Sequence, residues 1–391
     1  MIPVSEALDH LFALAAPLEV ETVPLSAANG RVLARAVQAN RDQPPFSASA
    51  MDGYALRDAD VRDGASFDVI GEAAAGHRFE GAVDAGQAVR IFTGAPVPEG
   101  ADRVVIQEDV IREGDRITLL DTLDSGFHIR PAGGDFARGA EIAAPRRLRP
   151  SDIALMAAMN IPEVPVTRRP RVAIMATGDE LVMPGETPGP DQIIASNSFG
   201  LQAMLRDLGA EARLLPIARD THASLETAFS LVDDADLVLT IGGASVGDHD
   251  LVGAVAADLG MERSFYKIAM RPGKPLMAGR LAGGAMMIGL PGNPVSAMVC
   301  GHIFVAPVVR KMLGLDASPA PELAAPLAAA IGPNGPRQHY MRARVENGEI
   351  TAFTRQDSSL LTVLSDANAL LVRPPNDPVR AAGEILRYVP I

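Results

Sequence analysis

Apolar and polar positions change rhythm several times along the chain, and each change marks a different kind of module. From Arg171 onward, continuous apolar runs alternate with amphipathic stretches. RVAIMATG at residues 171–178 predicts a buried strand, and Ser198–Leu208 a helix. Ala212–Ile217, Leu237–Ile241, Ser264–Ala269 and Ala285–Leu290 predict further strands. Ala223–Val232, Leu251–Leu259 and Val295–Leu313 predict helices, the last ending before Gly314. Strands with no polar face that alternate with helices imply a doubly wound, mostly parallel, three-layer α/β domain over residues 170–317. Residues 41–139 show short runs instead (Phe67–Ile70, Ala88–Phe92, Arg103–Ile106, Ile117–Leu119) broken by Gly, Asp and Pro. That spacing predicts an inserted β-rich module. Residues 1–40 and 140–169 flank it, with helices expected at Val4–Ala15 and at Ser151–Asn160, the second capped by Ser151. They are expected to form one discontinuous linker domain. Residues 318–391 carry short strands at Gln338–Val345, Glu349–Phe353, Ala369–Val372 and Glu384–Val389, which predict a C-terminal β-barrel-like module.

Composition narrows the function. The chain has 391 residues, 48% of them hydrophobic, and a net charge of −13. An acidic surface disfavours duplex nucleic acid, and the lack of Trp with 4% aromatics argues against base-stacking platforms. An anionic ligand would therefore need a local basic pocket. The single cysteine, Cys300, excludes an intrachain disulfide framework and fits a cytoplasmic protein. Leu281–Val309 lacks Lys, Arg, Asp and Glu, but Pro291–Pro294 divides it into a strand and a helix rather than a membrane span.

Candidate chemistry gathers at the expected carboxyl ends of the strands. After Ile241, Gly242, Gly243 and Gly247 form a glycine loop around Ser245, followed by Asp248, His249 and Asp250. A buried strand, a glycine loop and a helix start make an anion site, although the same loop also serves as a tight turn. Asp248 stands where a Walker A motif needs Lys, and Gly242 and Gly243 are adjacent, so neither a P-loop nor a dinucleotide fingerprint is present. GLPGNP is a second glycine loop before a helix, with Pro291, Gly292 and Asn293 at its tip. KIAMRPGKP supplies Lys267, Arg271 and Lys274, three cations suited to phosphate or an oxyanion. Asp52, Asp135, Glu180, Asp220 and Asp250 each sit in a loop beside an expected strand end. Acids in such places also serve as turn formers. If they converge, they need a divalent cation, and hard oxygen donors point to Mg²⁺, with Asp52, Asp220 and Asp250 as the expected ligands.

Seven stretches occur together in a fixed order: SAMDGYAL, FTGAPVP, RPAGGD, ATGDEL, GGASVGDHD, KIAMRPGKP and GLPGNPVSA. In this the sequence resembles the molybdopterin molybdenumtransferase family, which is similar to the gephyrin E domain. The resemblance runs from about residue 5 to the C-terminal module. It implies an enzyme that combines adenylylated molybdopterin and molybdate, with a divalent metal, to give molybdenum cofactor and AMP. It further implies an elongated homodimer of four-domain subunits, with the active cleft between the α/β domain of one subunit and the β module of the other. The adenylylating enzyme of the same pathway becomes an expected partner. By motif position, the β module would contribute Asp52, Thr93, Arg130 and Asp135. The α/β domain would contribute Glu180, Asp220, Ser245, Asp250, Lys267, Arg271 and Lys274 with the Pro291–Asn293 loop, and the C-terminal module Ser358. The sequence departs from the family pattern at Arg271, where Lys is frequent, and at Asp357 and Ser359, where glycines are frequent. The competing expectation is a non-catalytic pterin- or nucleotide-binding scaffold of the gephyrin E-domain type; AMP release separates the two.

Overall fold

The computed structural model describes residues 1–242 and 251–391. At its centre is a six-stranded sheet in the order Glu211–Leu214, Arg171–Ala176, Leu237–Ile241, Met286–Leu290, Met277–Arg280, Glu262–Tyr266. The first four strands are parallel and the last two antiparallel. The central strands are buried on both faces, and their alternate side chains feed two separate cores. Val172, Ile174, Leu237 and Leu239 pack under helices Val4–Leu14, Asn197–Leu208 and the helical segment from Pro294 to Met312. Ala173, Met175, Val238 and Met287 pack under His222–Phe229 and Leu251–Asp258. The result is three layers, as the unbroken apolar runs require.

Two local expectations are corrected. Met277–Arg280 is a strand the sequence does not announce, because Ala278 and Gly279 carry little β signal; it is held as a hairpin against Met286–Leu290. Ser151 does not cap its helix. Pro150 takes the first helical position, and the Asp152 carboxylate reaches back to the Arg149 N–H at 2.8 Å, so Arg149 is the cap residue.

The charge-free stretch resolves into the Met286–Leu290 strand and a helical segment, Pro294–Met312, that is apolar and long enough to cross a membrane. Most of that segment is buried against the sheet, as befits a core helix.

Around this domain sit the other modules. Strand Val20–Pro24 pairs antiparallel with Glu163–Thr167, and Val32–Leu33 with Arg146–Arg147, so the segments on either side of the insertion share one sheet and one core. Helix Val4–Leu14 lies apart from that core, on the α/β domain. The insertion forms a six-stranded sheet of Gly53–Leu56, Ser66–Ala73, Gln87–Ile91, Arg103–Ile106, Val110–Glu113 and Arg116–Leu119. The C-terminal strands curl until Leu327, at one edge, bridges Ile350 at the other, closing a small barrel over Ala343, Leu371 and Tyr388. Its outer face is not free: Tyr340, Leu370 and Val372 belong to the α/β core. A strand of the α/β domain, Met270–Arg271, also joins the barrel sheet beside Gln338 and His339.

Candidate active site

The order of strands reverses at Arg171–Ala176, whose neighbours are Glu211–Leu214 on one side and Leu237–Ile241 on the other. Ligands of open α/β sheets bind outside the carboxyl ends at such a reversal. A cleft of about 660 Å³ lies there, lined by Thr177, Gly178 and Glu180 after the first strand, Asp220 beyond the second, and Gly242 after the third. Pro291–Pro294 closes it after the fourth. The floor is stitched from strand end to strand end: Thr177 N–H donates to Ile241 (3.0 Å), Gly178 N–H to Ala218 (3.1 Å) and Gly242 N–H to Leu290 (3.2 Å). Gly242 is required here. Its φ is +93°, and a Cβ would lie 2.7 Å from the Thr177 carbonyl oxygen.

Two helices, Asn197–Leu208 and the one starting at Pro294, direct their N-termini at the cleft. The positive ends of their dipoles favour negative charge there. Pro294 occupies the first helical position, but Asn293 does not spend its side chain on the cap. Its amide donates to Ser358 Oγ at 3.1 Å, while the Ser358 carbonyl accepts from Val295 N–H at 3.0 Å. The C-terminal module thus reaches the cleft through Ser358, and Ser359 lines it. Asp357 fixes this turn by accepting from Ser359 N–H (2.8 Å) and Oγ (2.6 Å).

Behind the turn lies a residue that the sequence reading passes over. Arg342 is completely buried. Its Nη2 donates to the Asp357 carbonyl at 3.2 Å, but Nε and Nη1 have no hydrogen-bond partner. Burial, and secondarily the charge of Arg271, depress its pKa to about 10, which still leaves a cation at neutral pH. The signal available in the sequence is an arginine two residues beyond Tyr340, on the strand face where apolar side chains meet the α/β domain. Asn197 was also missed; its amide holds the Gly292 carbonyl at 2.7 Å.

The other expected residues divide into groups. Glu180 and Asp220 face the cleft, and no hydrogen bond or ion pair takes up either carboxylate among the described residues. Pro275, from the basic turn, lines the cleft, whereas Lys267, Arg271 and Lys274 lie outside its lining. That turn is closed by Lys267 N–H to Leu276 and Ile268 N–H to Lys274, both 3.0 Å. The Lys267 ammonium stands 4.9 Å from the Tyr266 ring centre.

Asp52, Thr93, Arg130 and Asp135 lie in the inserted module and do not line this cleft. They surround the 43–50 segment. Arg130 pairs with Ala48, Asp135 N–H donates to Gln43 at 2.9 Å, and Gly94 N–H donates to Ser49 at 2.9 Å. Asp52 Oδ1 accepts from both Thr93 N–H and Thr93 Oγ1 at 2.8 Å, which holds its carboxyl below the usual range and leaves Oδ2 free. Gly243, Ser245, Gly247 and Asp250 lie outside the described residues. Among the described residues, no three Asp, Glu, His or Cys side chains gather closely enough to hold a metal.

Three family profiles match the chain in succession: the MoeA N-terminal region, domains I and II, over residues 2–160; a probable molybdopterin-binding domain over 173–311; and the MoeA C-terminal region, domain IV, over 324–391. Among curated proteins, the chain is 41% identical to the molybdopterin molybdenumtransferase of a Nostoc species over 306 residues, covering 76% of this chain and 70% of that one. It is 36% identical to molybdopterin molybdenumtransferase 2 of Mycobacterium tuberculosis over 94% of both chains. Among solved structures, a molybdopterin biosynthesis MoeA protein from Pyrococcus horikoshii superposes with a TM-score of 0.86 at 29% identity, covering 100% of this chain and 99% of that one.

Proposed function

Since the chain belongs to the molybdopterin molybdenumtransferase family, we propose that it inserts molybdenum, taken from molybdate, into adenylylated molybdopterin with release of AMP. One observation carries the assignment of this chemistry to the cleft. Unpartnered carboxylates, Glu180 and Asp220, share a cavity with two helix N-termini and with a serine turn backed by the buried, half-satisfied Arg342. Cleaving a phosphoanhydride with an incoming oxyanion crowds negative charge into one place, and fixed donors aimed there stabilise it without reorganising. In this reading Asn293, Ser358 and the helix starts at Pro294 and Asn197 orient the anionic groups. Arg342 supplies charge from below. Lys267, Arg271 and Lys274, on the turn that brings Pro275 to the cleft, are the cations assigned to the anionic groups of the substrate. A purely binding scaffold would leave the two free acids without a role.

The residues present fit a divalent cation, because the free carboxylates of Glu180 and Asp220 and the free Oδ2 of Asp52 are hard oxygen donors. Asp220 and Asp52, with Asp250, would hold Mg²⁺, which when bound neutralises phosphate charge. Asp52 does not line the cleft of its own chain, so we infer that a second copy brings its β-module face (Asp52, Thr93, Arg130, Asp135) to this cleft. The protein is then a homodimer with shared sites, working in the cytoplasm downstream of the adenylylating enzyme.

The test is AMP release from adenylylated molybdopterin, molybdate and Mg²⁺. The wild type releases AMP; Asp52→Ala and Asp220→Ala homodimers do not. Exchanging subunits between the two variants restores about a quarter of wild-type activity, since half the dimers are mixed and each has one intact site. No AMP from the wild type overturns the activity. Inactive single variants with no recovery on exchange overturn the shared site.

A further inference from the structure

Glu180 and Asp220 belong to different loops, and the Arg219 side chain makes most of the side-chain contacts between them. Arg219 Nη1 donates to the carbonyl oxygens of Gly178 (3.3 Å), Asp179 (3.0 Å) and Leu181 (3.1 Å), so the peptide units on both sides of Glu180 converge on one nitrogen. The main chain of Arg219 is fixed in turn, its N–H donating to Ser224 Oγ at 2.9 Å. Next to it, Asp220 N–H donates to Asp179 Oδ1 at 3.2 Å. Arg219 makes no ion pair among the described residues, although the chain carries 48 acids against 35 Lys and Arg. Its cation is given wholly to carbonyl groups of the loop that carries Glu180. Such a clamp suits a loop whose other ties are few: a two-residue ladder of Leu181–Val182 with Ile193–Ile194, the bond from Gly178 N–H to Ala218, and the bond from Asp220 N–H to Asp179.

We propose that Arg219 is a positioning residue for the transferase reaction. It sets the spacing of the Glu180 and Asp220 carboxylates across the cleft and acts through them, without touching substrate. The inference rests on the site reading above. A misplacement of about 1 Å at a reacting group is enough to cost about 100-fold in rate.

The experiment measures kcat and KM for AMP release in the full-length dimer for the wild type, Arg219→Ala, Arg219→Lys, Glu180→Ala, Asp220→Ala and the Arg219→Ala/Glu180→Ala pair. Binding stoichiometry for adenylylated molybdopterin reports the folded fraction. Arg219→Ala is expected to lower kcat about 10- to 100-fold, with KM within about twofold and wild-type stoichiometry. Arg219→Lys recovers to within about fivefold, because its ammonium offers three donors from one nitrogen. In the Glu180→Ala background the cost of Arg219→Ala shrinks to less than about threefold, as expected of residues acting as a unit. Undiminished multiplication of the two effects, or wild-type kcat in Arg219→Ala while Glu180→Ala and Asp220→Ala are impaired, overturns the positioning role alone. Wild-type turnover in both carboxylate variants overturns the site reading and this inference with it. If Arg219→Ala does not fold, the lysine variant decides: a loss of 100-fold or more at full stoichiometry counts against the clamp.

Discussion

Replacing Arg342 by Met should stabilise the protein while removing its response to molybdate. Arg342 is fully buried and makes one side-chain hydrogen bond, to the Asp357 carbonyl, with two nitrogens unsatisfied. The depression of its pKa to about 10 gives the scale of the penalty, ~3 kcal/mol. The sign is that of a cation disfavoured by folding: the cost is present at all pH values below about 10 and fades only above it. Methionine keeps most of the apolar stem, loses a charge-assisted bond worth ~1.5 kcal/mol, and leaves a net gain of ~1.5 kcal/mol. For a protein of this size that is a rise of roughly 2 °C in Tm. The assay is thermal unfolding at pH 7 with and without molybdate. At 100 times its Kd, molybdate should stabilise the wild type by about 2.7 kcal/mol, whereas Arg342→Met should gain nothing. A variant that is destabilised by more than about 2 kcal/mol, or that still responds to molybdate, refutes the view that this guanidinium is an uncompensated charge waiting for an anion.

Two further outcomes follow from the geometry. Thr93→Val removes one of the two hydrogen bonds that hold Asp52 ionised. Since that carboxyl lies below its ordinary pKa, the acid limb of the kcat/KM profile should move to higher pH in the variant, and an unmoved limb would remove Asp52 as the group being titrated. Gly242→Ala forces a Cβ to 2.7 Å from the Thr177 carbonyl at positive φ, so stability should fall by more than about 1 kcal/mol and the cleft floor should distort. Wild-type denaturation and activity would show that the strand ends have slack.

The parallel core was legible because its strands are buried on both faces. Arg171–Ala176, Leu237–Ile241 and Met286–Leu290 have no alternation to disguise them. Met277–Arg280 was not, since its ladder is secured by a neighbour rather than by its own side chains. The cleft loops were legible as glycine- and acid-rich strand ends, and Glu180, Asp220, Gly242 and Pro291–Asn293 do share one cavity. What could not be read was contact across sequence distance. Nothing local tells that Asn293 spends its amide on Ser358 instead of on its own helix, or that Arg342 lies isolated behind that serine. Ser151 shows the same limit at short range: Pro150 takes the first helical position, which puts Ser151 inside the helix, and the Asp152 carboxylate reaches back to the Arg149 N–H.

The rung formed by Met270–Arg271 beside Gln338–His339 means that the fourth module is not a detachable appendage. A chain ending near residue 318 would leave Ala269 to Arg271 with open peptide groups and would strip the cover from Ile268 and Met270, which are fully buried. The excised barrel would in turn bare Tyr340, Leu370 and Val372. Both fragments would offer a raw sheet margin beside greasy ground, the combination that drives self-association, so attempts to express the halves separately should give aggregates that dissolve only when the two are co-produced.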